Sequence, residues 1–173
     1  MQEEMISEEI YIQNAGLVIL NAYLSSFFDR CGLTEDSGFK SQDAAERAAQ
    51  LLQYVVVGEN RQKEEDLVLN KILCGIPVET IISEAFTPSE SEKEISEQML
   101  QAIISHWELI KNSSAEGFRE SWLWREGKLM RKEKYWELKV EQRPFDVLLD
   151  YKPFSISPVS FSWMEYPIKV IWR

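Results

Sequence analysis

The chain has 173 residues, of which 45% are hydrophobic and 28% charged, and its formal net charge is −10. That length suits one domain with a real core, and that composition is globular rather than fibrous or disordered. Residues 1–100 hold 19 acids against 7 bases, whereas residues 101–173 hold 10 against 12. An acidic half argues against nucleic acid as a partner, because affinity for that backbone comes largely from Lys and Arg displacing counterions. The longest apolar runs fall far short of the ~20 residues a membrane span needs. The start, MQEEMISEE, is acidic with no apolar segment behind it and does not read as a signal peptide. Cys31 and Cys74 are isolated and read as reduced core thiols of a cytosolic protein.

In chain order, residues 1–9 read as a flexible lead-in and 10–12 as a short strand. Asn14 is placed to cap a helix over 15–31, in which Leu17, Leu20, Leu24, Phe27 and Cys31 recur at steps of three and four. Gly32 stops it, and 34–40 is a polar loop. Ser41 or Asp43 caps a second helix that turns Ala48, Leu51, Leu52, Val55 and Val56 inward and closes at Gly58. After a charged linker at 59–65, a third helix covers 66–74 and ends at Gly75 with Pro77 beyond. Residues 78–86 are ambiguous and read as extended. Thr87, Pro88 and Glu90 form a helix-start signature for a fourth helix reaching about residue 111, with a stripe of Ile95, Met99, Ala102, Ile103, His106 and Ile110.

The stretch 113–150 is the centre of the chain. Ser113 with Glu116 reads as a capping box, Phe118 and Trp122 share a helix face, and Gly127 is expected to end that helix in a left-handed cap. Trp136, Leu138 and Val140 alternate with Glu137 and Lys139, the period of a strand with one wet face. The basic segment 128–134 reads as a solvated hairpin tip. Pro144 opens a short helix to Asp150, and 151–158 is a proline-punctuated loop. A closing hairpin is expected, with Phe161 and Trp163 on one strand, a turn at 165–167, and Ile168, Val170 and Trp172 on the other. The fold class is therefore α+β: a helical part over 10–126, about four helices long, then a hairpin-rich part over 127–173 in the same domain.

No reactive constellation stands out. The single histidine, His106, reads as a half-buried member of an apolar stripe, and without a second His or paired Cys a zinc site has no ligands. The glycines are scattered as helix stops, so no phosphate loop exists. Asp146 and Asp150 stand four apart and admit a paired-carboxylate hydrolase. The plainer reading makes them the wet face of PFDVLLD, with Phe145, Leu148 and Leu149 inward. No catalytic residue, metal or cofactor is expected.

One resemblance organises these motifs. IQNAGLVIL (12–20), RAAQLLQYVVVG (47–58), LVLNKILCGIP (67–77), MLQAIISHWELIKNSS (99–114), FRESWLWREGKL (118–129), WELKVEQRPFDVLLD (136–150) and FSWMEYPIKVIW (161–172) occur in order. Together they resemble the tape measure proteins of contractile injection systems, which are phage-tail-like particles. The likeness is to the globular region toward that family's C-terminal end. It implies a structural, non-enzymatic protein that associates with tube, hub, spike or baseplate subunits. It places the chain in the cytoplasm of the producing bacterium or in the assembled particle. A length-setting rod is not foreseen, because glycine and proline stops break any long helix, so docking is the expected role. A chain of this kind is expected to be either a fragment or a short relative that keeps the anchoring domain.

All six tryptophans lie from Trp107 onward. Aromatic residues with arginine are enriched at interface cores, so Trp124, Arg125, Tyr135, Tyr151, Tyr166 and Trp172 are the candidate partner-binding residues. Trp122, Trp136 and Trp163 are assigned to the core. The partner is either a particle subunit or a second copy in a small homo-oligomer. The alternative class is an acidic adaptor or chaperone-like module for a cargo.

Overall fold

A computed structural model describes residues 8–173. Residues 1–7, most of the expected lead-in, lie outside the described part, while Glu9 already belongs to the first strand. The main sheet has four strands in the order β1-β4-β5-β6. They are β1 (Glu9–Ile12), β4 (Gly127–Arg131), β5 (Trp136–Val140) and β6 (Ile168–Ile171). The first two pairings are antiparallel and the β5–β6 pairing is parallel. A two-stranded turn, β2 (Thr34–Glu35) with β3 (Gly38–Phe39), sits apart, inside the stretch expected as a polar loop. The α+β class holds, but the sheet is mixed.

Period-2 alternation in β5 does what it predicts. Leu138 is buried opposite Leu129, while Lys139 faces Lys128 on the other side. Tyr11, Lys128, Lys139 and Ile171 form one cross-strand row on that outer, wet face. The expected closing hairpin is not formed. Residues 161–166 are irregular, and Ile168 instead pairs with Trp136 along β5 and bridges back to Val159. Alternation at Ile168, Val170 and Trp172 announces a strand without naming its neighbour.

The helices are α1 (Leu24–Arg30), α2 (Gln42–Val57), α3 (Val68–Leu73), α4 (Glu90–His106) and α5 (Ala115–Phe118). The segment Ala15–Tyr23 that leads into α1 is 3-10 rather than α, and Leu17 and Leu20 are fully buried in it. Gly16 explains the tight packing, since a Cβ there would lie 1.7 Å from the carbonyl oxygen of Trp122. Asn14 does not cap this segment. Its amide turns inward to Gln53 Oε1 (3.0 Å) and Asn70 Oδ1 (2.8 Å), tying the chain start to α2 and α3.

Helix α2 follows its sequence closely. Ser41 Oγ accepts from the Ala44 amide, Gly58 closes it at φ 81°, and Ala48, Leu51, Leu52, Val55 and Val56 are buried. Helix α4 starts two residues later than expected. Ser89, not Thr87, is its cap, and Ser89 and Glu92 complete a reciprocal capping box. It ends at His106 and is followed by a 3-10 turn, Glu108–Ile110. Similarly, Ser114 and not Ser113 caps α5, accepting from the Gly117 amide at 2.9 Å. A π turn, Arg119–Leu123, then continues α5. Gly127 is no helix stop. It opens β4, where a Cβ would come within 2.6 Å of Ala15 Cβ, so its smallness serves packing between the sheet and the first helical segment. One hydrophobic cluster runs from Ile12 through the helices to Leu129, Leu138, Ile168 and Trp172.

Candidate docking surface

Arg125 follows the π turn, and its backbone carbonyl accepts from the Ala15 amide at 3.0 Å. That anchors the side chain inside the molecule, at 0% exposure. Its guanidinium forks onto Asp146 at 2.8 and 2.6 Å and also donates to the Ser121 and Glu141 carbonyls. Three rings surround the cation, those of Trp122, Phe145 and Trp172, at 5.1–5.2 Å from its central carbon. Asp146 is saturated in turn, accepting from the Arg143 amide and from Trp172 Nε1, both at 3.0 Å. Burial by itself would raise the Asp146 pKa, but these bonds and the Arg125 charge outweigh it and hold the carboxyl below its ordinary value.

This node corrects several expectations. Arg125 and Trp172 are interior residues, with Trp172 at 2% exposure, and have no surface to offer a partner. Asp146 is not on a wet face, while its neighbour Phe145 is half-exposed. Asp150 points away and pairs with Arg173 at 3.0 Å, so the two aspartates do not converge. His106 is exposed at the end of α4, where its Nδ1 lies 2.8 Å from the Tyr23 hydroxyl. Cys74 is buried and Cys31 half-buried, and burial raises both thiols, Cys31 to about 11, so neither is a nucleophile at neutral pH.

The tryptophans show a pattern that spacing alone does not reveal. Trp124 Nε1 donates to the Val56 carbonyl at 2.6 Å, beside Arg119 Nε on the Val55 carbonyl at 2.7 Å, so both serve orphan acceptors at the end of α2. Trp163 Nε1 does the same for Leu73 at the end of α3, at 2.8 Å. Trp107 donates to Leu148 O, and Trp172 to Asp146. Four of the six indoles therefore spend their donor on the fold. The clue available in sequence is that α2 and α3 end without Lys or Arg in position to serve those carbonyls, apart from Lys71.

Two surfaces among the described residues stand out. The first is the outer side of the 3-10 segment Pro144–Tyr151, where Val147 and Tyr151 are 44% and 64% exposed, packed beside the turn that carries exposed Leu109. The second is a cavity of about 310 Å³ between the loop after α3 and the end of the β4–β5 hairpin. Ile72, Ile76, Pro77 and Val78 form one wall, and Trp136 and Tyr166 the other, with Arg131, Glu79 and Glu165 among the lining. Arg131 lies 3.5 Å from the Tyr166 ring centre and 5.9 Å from that of Trp136. Trp136, expected in the core, is half-buried here, as are Tyr166 and Tyr135 at the hairpin turn. Of the six candidates, Trp124, Tyr135, Tyr151 and Tyr166 thus reach solvent, in different places.

Among the described residues no cluster of three or more His, Cys, Asp or Glu side chains is placed to hold a metal ion. None of their helices is long and apolar enough to cross a membrane. What the arrangement offers is shape and aromatic contact, the equipment of a structural protein. The family model of the contractile injection system tape measure protein matches residues 1–172, and the chain belongs to that family. Neither the curated proteins nor the solved structures compared with it yield a match.

Proposed function

We propose that this chain is an assembly module of a contractile injection particle, docking onto a tube, hub, spike or baseplate subunit rather than measuring length itself. The observation that carries the reading is the family match over residues 1–172. Supporting it, the longest helix, α4, has 17 residues and spans only about 25 Å at 1.5 Å per residue. Such short elements, folded onto a common core, do not make a ruler. Docking falls to the aromatic residues left in solvent, Tyr151 on one side and Tyr135 and Tyr166 on the other, with Trp124 partly exposed as well. On this reading the protein is not an enzyme and acts in the cytoplasm of the producing bacterium or within the finished particle.

The test is deletion and complementation in a particle-producing strain, scored by electron microscopy, together with a pull-down on the tagged chain. Loss or mis-assembly of particles, with tube, hub, spike or baseplate subunits on the bait, is the expected result. Intact particles in the deletion strain, with one soluble cargo protein on the bait, would instead make it an adaptor.

A further inference from the structure

The chain spends most of its aromatic and charged groups internally near its core, and among the described residues the cavity at Trp136 is an exception. Four indoles donate within the fold, and Trp122 is 3% exposed. Trp136 is half-buried, and its Nε1–H has no acceptor among the described residues. Arg131 has no carboxylate partner among the same residues, and neither Glu79 nor Glu165 is engaged in an ion pair or a side-chain hydrogen bond. By contrast, Lys71 just behind this wall is committed to Glu64 and to the Val78 carbonyl. The cavity therefore joins an apolar wall, an aromatic wall, an unspent donor and two unspent carboxylates.

The charge balance selects the guest. Two carboxylates and one guanidinium line the cavity, and that guanidinium already sits over Tyr166, 3.5 Å from its ring centre. Residues 1–100, which supply the Glu79 side of the cavity, carry −12 against +2 for 101–173, so long-range attraction for a basic surface acts through that side. A carboxylate guest would meet Glu79 and Glu165 at the rim. A guanidinium or ammonium guest would lay its stem along Pro77 with its charge between the carboxylates, beside the Trp136 ring that Arg131 also approaches at 5.9 Å. We infer that the cavity lined by Ile76, Pro77, Glu79, Trp136, Glu165 and Tyr166 is a docking pocket for an arginine or lysine side chain on a partner subunit. The assembly role rests on the reading above, whereas the pocket's chemistry can be tested without it.

The experiment is a titration of the full ¹⁵N-labelled chain, following the Trp136 indole N–H resonance assigned through Trp136→Phe. The probes are the peptide amide acetyl-Leu-Arg-Leu-Gly and its Glu-containing counterpart. A saturable shift with the arginine peptide is expected, weakened at least tenfold in the Glu79→Gln, Glu165→Gln double variant with its melting temperature unchanged. An equal response to the glutamate peptide, no response to the arginine peptide, or full binding by the double variant would overturn the pocket. The double variant is also scored for particle assembly. Normal particles despite lost peptide binding would leave the pocket standing and remove it from assembly. Mis-assembled particles despite unchanged peptide binding would sink the pocket and leave the assembly reading intact.

Discussion

Arg125 and Arg131 stand six residues apart and are given the same kind of company, yet they meet opposite fates. Each guanidinium lies against aromatic rings, Trp122, Phe145 and Trp172 for one, Tyr166 and Trp136 for the other. Arg125 is fully buried because Asp146 neutralises it with a two-pronged bond and two carbonyls accept hydrogen bonds from its remaining N–H groups. Arg131 has no such carboxylate and stays at the surface. A cation can leave water only where its charge and donors are replaced in full. Aromatic company alone does not suffice, so the rings make a structural node in one place and an open wall in the other.

The largest effect should come from breaking the closed node. Arg125→Met leaves Asp146 buried beside three rings without its partner, and denaturant unfolding should show a loss of about 3–5 kcal/mol. Adding Asp146→Leu should recover much of that loss, because an apolar pair leaves no charge stranded. The same node, together with the separate Arg47–Glu92 pair, gives a pH signature. The folded carboxyls of Asp146 and Glu92 titrate below their ordinary range. For Glu92 burial pushes upward and is outweighed by Arg47 and the Ser89 amide. Their contribution is therefore complete above the usual carboxylate range, near pH 4, and lost as pH falls through the folded values. Melting temperature against pH should fall less steeply on the acid side in Asp146→Asn than in the parent.

Next comes the contact beneath the node. Gly16→Ala puts a methyl 1.7 Å from the Trp122 carbonyl oxygen, a backbone atom that cannot swing aside, and should cost about 3 kcal/mol by chemical denaturation. Smaller still are the indole caps. Trp163→Phe keeps a ring but strands the Leu73 carbonyl, a loss of about 1 kcal/mol in thermal unfolding. The open side should give least. Arg131→Met removes a stacked but unpaired cation, and stability should stay within about 0.5 kcal/mol of the parent. A loss comparable to that of Arg125→Met would erase the contrast between the two arginines.

Much of this architecture was legible locally. The Ser41 and Gly58 bracket around α2, the Leu51–Val55 stripe, the alternation of Trp136, Leu138 and Val140, and the proline opening at Pro144 all stand in the structure. Each depends on neighbours within a turn or a strand. The caps slipped by one or two residues, Ser114 for Ser113 and Ser89 for Thr87, because several hydroxyls compete and packing chooses among them. The docking residues were harder. Trp172 reads as a partner-binding candidate, yet it reaches back 26 positions to Asp146, and nothing in its local pattern says so.

By itself, then, the amino-acid order determined which segments coil and which extend, where most of them stop, and the absence of any reactive motif. Those are matters of steric preference and periodicity over a few residues. Tertiary structure alone decided that β6 runs parallel to β5, that Gly127 serves packing, and which of two similar arginines goes inside. The reason is that burying a charge, or choosing a strand's neighbour, depends on groups far apart in the chain meeting at hydrogen-bond distance. No short window contains both partners.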